Sequence, residues 1–118
     1  MAKYYKEGLN TTSAVFSGII EFCNNRNLQL LVTYFPSKEE IYAVDWYFDR
    51  YGRNTKLHLL GNVLAEYFAE VSVPYLDLTP LYQEARHHKE PIYFMIDSHM
   101  TVYGQFLAAK WIAHFLKN

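Results

Sequence analysis

The chain has 118 residues, 51% of them hydrophobic and 19% charged, and a formal net charge of −1. That length suits one domain, and so even a charge balance lacks the basic footprint of a nucleic-acid binder. The hydrophobic share excludes a disordered chain, no apolar run approaches the ~20 residues that cross a bilayer, and the lone Cys23 excludes an internal disulfide framework.

Residues 11 to 23 are expected to be helical. Thr11 or Thr12 can cap them, and Val15, Phe16, Ile19, Ile20, Phe22 and Cys23 recur at helical spacing. A polar stop, Asn24-Asn25-Arg26-Asn27, precedes the short apolar run from Leu28 to Phe35, which reads as a strand buried on both faces of a parallel sheet. Pro36 closes it. Ser37 with Glu40 three residues later is a capping box, opening a helix through about Arg50. Tyr51-Gly52-Arg53-Asn54 is a turn, and residues 56 to 70 form another amphipathic helix.

Val71 to Leu78 is a second strand candidate. Thr79-Pro80 then supplies an N-cap and a proline at the first helical position, for a short helix to about His87. Ile92 to Ile96 is a third strand or extended segment, and Thr101 caps a final helix to about Leu116. Strands alternating with helices predict an α/β domain with a short parallel sheet over residues 1 to 118. Two or three strands are few for such a sheet, so the domain reads as partial.

In open α/β sheets, ligands bind beyond the carboxyl ends of the strands. Two junctions lie there. In Phe35-Pro36-Ser37-Lys38, Lys38 either faces a bound anion or is a solvated lysine of the first helical turn. In Asp97-Ser98-His99, a carboxylate and an imidazole stand two residues apart, just before a capped helix. A carboxylate that accepts the Nδ1 proton fixes the tautomer of a general base and raises its basicity. The competing reading makes Asp97 a turn residue and His99 a polar neighbour of the cap. Asp77, ending the second strand, either turns the chain or orients the site loop. His87 and His88 suit a helix C-terminus, and His58 and His114 read as surface or boundary residues. No Cys/His spacing suggests a metal site, and no cofactor is implied.

The block from Ile92 to Ala109, with Asp97-Ser98-His99-Met100-Thr101 and Gly104 inside it, resembles the last block of SGNH (GDSL-type) hydrolases. It is most similar to the branch of alginate O-acetyltransferase-like proteins. Leu30 to Tyr42 and Tyr75-Leu76-Asp77-Leu78-Thr79-Pro80 resemble upstream pieces of that branch, in the expected order. The resemblance implies a flavodoxin-like α/β/α fold and ester or acyl-transfer chemistry, with an ester or acetylated carbohydrate as substrate. His99 would be the base and Asp97 its orienting partner. Met100 stands where the branch usually carries Trp.

The resemblance also calls for a nucleophilic serine in a Gly-Asp-Ser block, placed before these segments, and no such tripeptide occurs in the chain. The expectation is therefore the C-terminal, base-bearing portion of an esterase or O-acetyltransferase domain, inactive alone. A partner carrying the serine block, or self-association through an open sheet edge, would follow. The alternative is a non-catalytic interaction domain using that edge. The first residues contain no apolar stretch of a secretory leader, which reads as cytoplasmic for the chain as it stands, whereas the resemblance implies relatives that are often exported.

Overall fold

The computed structural model describes residues 2–52 and 58–117, and the chain divides into two compact units, Met1–Leu31 and Val32–Asn118. The first unit is dominated by one helix, α1 (Ala2–Asn25), which begins well before Thr11. Thr11 does not cap it. Its hydroxyl donates to the Glu7 carbonyl one turn back, at 3.0 Å, so the residue is accommodated inside the helix. Asn27 ends the helix at φ 54, and the Leu28 N–H donates to the Cys23 carbonyl at 2.9 Å. Asparagine tolerates this left-handed backbone better than most residues.

The second unit starts with β1 (Val32–Tyr34), followed by α2 (Lys38–Tyr42) and α3 (Val44–Tyr51). The Ser37 capping box forms as expected: its hydroxyl accepts from the Glu40 N–H, and the Glu40 carboxylate accepts from the Ser37 N–H. The single helix expected from Ser37 to Arg50 is instead broken at Ala43, whose backbone leaves the helical region at φ −105, ψ 9. Of the expected turn at 51–54, Gly52 lies at φ 87, a conformation open to glycine, and residues 53 and 54 lie outside the described residues.

Next come α4 (Leu59–Glu70), β2 (Tyr75–Asp77), α5 (Thr79–Ala85) and α6 (Val102–Lys117). The start of the helix expected from residue 56 falls partly outside the described residues. β1 and β2 pair in parallel, with Val32 opposite Tyr75, Thr33 opposite Leu76 and Tyr34 opposite Asp77. Both strands are shorter than expected because a two-stranded sheet supports only the residues that find a ladder partner. Among the described residues the result is a helix-rich α/β unit with a two-stranded parallel sheet.

The expected third strand does not join that sheet. Residues 92–96 instead make an isolated antiparallel bridge, Tyr93 with Met100, and then turn outward. Thr101 performs the predicted cap, its hydroxyl accepting from the Gly104 N–H at 3.1 Å.

One core unites the second unit: Ile41, Leu78, Tyr82, Ala85, Ile92, Tyr93, Leu107 and Ala108. Tyr82 is its centre. It is fully buried, meets the Trp111 ring edge-on at 5.1 Å and donates its hydroxyl to the Gly104 carbonyl at 2.8 Å. Gly104 is required where it is, because a Cβ there would stand 2.4 Å from the Ile92 carbonyl oxygen. That close approach ties α6 to the segment leading into the Asp97 loop. No helix among the described residues is long and apolar enough to cross a membrane.

Candidate functional site

The loop from Phe94 to His99 leaves the core at the Tyr93–Met100 bridge and returns to it. The Phe94 N–H donates to the His99 carbonyl at 3.0 Å, and the Thr101 N–H to the Ile92 carbonyl at 2.9 Å. Within this narrow base, one Asp97 oxygen accepts twice from His99: from its backbone N–H at 2.7 Å and from its Nδ1. An ionised carboxylate can only accept, so Nδ1 donates to Asp97 and Nε2 is left outside the pair. The backbone N–H of His99, followed by its ring, holds the Asp97 carboxyl below the ordinary carboxylate range. The structure therefore brings the two predicted residues, Asp97 and His99, into direct hydrogen-bond contact.

The pair is open to solvent, with side-chain exposures of 83% for His99 and 55% for Asp97. Its apolar neighbours are open too: Met95 is 91% exposed and Ile96 99%. Phe94, Val102 and Phe106 are also exposed large hydrophobic residues.

Lys38 stands at the start of α2 and reaches the same loop. Its Nζ donates to the Phe94 carbonyl at 2.5 Å and to the Met95 carbonyl at 2.6 Å, and lies 3.5 Å from that of Asp97. The two junctions singled out in the sequence are thus one place in the fold. A second tie, the Tyr93 hydroxyl donating to the Pro36 carbonyl, fastens them again.

At the carboxyl ends of both strands lies a cluster that sequence reasoning missed. His58 stands between two carboxylates, with Nδ1 2.6 Å from Glu40 Oε1 and Nε2 2.6 Å from Asp77 Oδ2. The Tyr34 hydroxyl lies 3.1 Å from both Glu40 oxygens, and the ring of Tyr34 meets His58 edge-on at 5.2 Å. Where both carboxylates are ionised, both ring nitrogens donate and the ring carries a charge. Burial opposes that charge, but the hydrogen bonds to Glu40 and Asp77 outweigh it and raise the His58 pKa. For Asp77, burial pushes upward, and the hydrogen bonds from Thr79 and His58 prevail and lower it.

Asp77 also accepts the Thr79 N–H at 2.9 Å, so it turns the chain and holds His58 at once. Burial, followed by the nearby Asp77 and Glu40 charges, pushes the Tyr75 phenol up to about 12. Both ring nitrogens of His58 contact carboxylates, so the cluster braces the strand ends. Glu40 had a visible role as a capping residue, and nothing in the spacing revealed that the same carboxylate reaches His58. His114 lines an apolar groove of about 470 Å³ with Pro74, Leu76, Leu81, Trp111 and Phe115. No group of three or more His, Cys, Asp or Glu that could hold a metal ion occurs among the described residues.

The family model described as the SGNH hydrolase-like domain of the acetyltransferase AlgX matches residues 2–118. The chain belongs to this family. The match spans Lys38, Asp97 and His99 as well as the His58 brace, so loop and brace are parts of an SGNH hydrolase-like domain. No match was found among curated proteins, and none among solved structures.

Proposed function

We propose that this SGNH-like chain supplies the general base of an acyl-transfer site, with His99 as the base and Asp97 as its orienting partner. A serine nucleophile comes from outside residues 2–118. The observation that supports this most is the double contact of Asp97 with the backbone N–H and Nδ1 of His99, in the loop just before α6.

The serine hydroxyl attacks the acetyl carbonyl while His99 Nε2 takes its proton, and the leaving alcohol departs with that proton. The acetyl-serine is then attacked by water or by an acceptor hydroxyl, whose proton passes through His99 back to the serine. Asp97 stabilises the imidazolium formed at each stage. An acetylated carbohydrate or a related ester is the substrate class that fits membership in an acetyltransferase-like family.

A base needs a nucleophile, oxyanion donors and a site shielded from water. The exposed apolar side chains around His99 support the view that another segment covers the loop and brings the serine with it. The two-stranded sheet offers open edges for the same segment to extend. Alone, the chain is then inactive. Mass spectrometry after brief exposure to p-nitrophenyl acetate tests this. In the polypeptide or complex that includes the chain and the covering segment, acetyl should appear on a serine outside residues 2–118. The isolated chain should show no turnover above a His99→Ala control. Turnover by the isolated chain, or acetyl on one of its own serines, would overturn the reading.

A further inference from the structure

The loop that carries Asp97 and His99 has almost no apolar anchorage. Met95 and Ile96 project outward, so burial does not fix its path. Instead, the carbonyls of Phe94, Met95 and Asp97 all turn toward one point. Carbonyl dipoles converging in this way repel one another unless a cation sits between them. An ammonium has three donors and no acceptor, and Lys38 places one there. Lys38 is itself held by the first turn of α2, fixed in turn by the Ser37–Glu40 capping box and by β1 just before it.

We propose that Lys38 is a positioning residue for the Asp97–His99 pair, its ammonium gathering the loop carbonyls into the path on which Asp97 reaches His99. This rests on the reading of His99 as the base. A lysine whose donors are spent on backbone carbonyls does not present them to an anionic substrate. Arginine is a poor replacement, because a planar fork cannot point its donors at one converging set of carbonyls.

NMR on the chain tests this without any turnover, using Lys38→Ala and Lys38→Met. In both variants, amide exchange at Phe94 and His99, whose N–H groups are hydrogen-bonded within the loop, should rise by about 10-fold or more, while protection in α6 persists. The His99 ring nitrogens should lose the signature of a fixed Nδ1–H tautomer. Millimolar n-butylammonium should restore that signature in Lys38→Ala, and equimolar potassium chloride should not. In the completed enzyme, kcat should fall by about 10- to 100-fold with little change in KM.

Unchanged exchange and ring signals would overturn the proposal, as would a rise in KM alone. Loss of α6 protection together with the loop would also overturn it, since Lys38 would then hold the fold and not the loop. These outcomes stand apart from the role of His99 itself, which its own substitution tests.

Discussion

The Nε2 of His58 lies 2.6 Å from Asp77 Oδ2, at the end of β2, and the opposite ring nitrogen lies equally close to Glu40 in α2. One imidazolium thus ties the entry to α4 to β2 and to α2, the helix whose Lys38 reaches the loop of Asp97 and His99.

This tie makes stability depend on pH from two sides. The folded-state pKa of His58 is raised above its ordinary 6.5, so its contribution is fully present below that value and lost as the pH rises through the folded one. The pKa of Asp77 is lowered from 3.8, so its contribution is present above that value and lost as the pH falls through the folded one. Melting temperature should therefore peak in the mildly acidic range between. His58→Gln should remove the alkaline slope and cost about 1–3 kcal/mol at the peak, because two carboxylates lose a charged donor. An unchanged pH profile in His58→Gln would count against the brace.

Gly61 tests the same brace sterically. A Cβ there would stand 2.3 Å from Cε1 and Nε2 of His58, and the ring is pinned at both nitrogens. Alanine ordinarily gains about 1 kcal/mol over glycine inside a helix. Here the displaced ring outweighs that gain, and Gly61→Ala should destabilise by about 1–2 kcal/mol in chemical denaturation.

The glycines of α1 have the opposite sign. A Cβ added at Gly8 or Gly18 would meet nothing within 4 Å. Each change to alanine should raise helicity by circular dichroism and stabilise α1 by about 0.5–1 kcal/mol.

Tyr82 carries the core on both of its chemistries. Tyr82→Phe keeps the ring against Trp111 but removes the hydroxyl's hydrogen bond to the Gly104 carbonyl, at a cost of about 1 kcal/mol. Tyr82→Ala adds a large cavity and should cost about 3–5 kcal/mol. Denaturant midpoints of the two variants separate the contributions.

The parts of this fold that were legible in the sequence are those written in local spacing. Ser37 and Glu40 form their box, Thr101 caps α6, and the α/β order holds. The break at Ala43 was hidden because residues on both sides favour helix. The outward turn after Tyr93 was hidden too, since Phe94, Met95 and Ile96 look like a strand interior until Lys38 is seen to take the loop carbonyls. At the site, Asp97 and His99 are near neighbours in sequence, so their mutual contact was legible in the spacing. The His58 brace joins residues from α2, the entry to α4 and β2, a contact that only the folded sheet creates.

His99 as a base, rather than as a surface histidine, is the centre of the proposed function. The deciding measurement compares His99→Ala with the unaltered protein, in the polypeptide or complex that contains both this chain and the segment proposed to supply the serine. Because the side chain is 83% exposed, the melting temperature should scarcely move. Turnover of p-nitrophenyl acetate should fall by about 1000-fold. Equal turnover in the two proteins would contradict the assignment of His99 as the base.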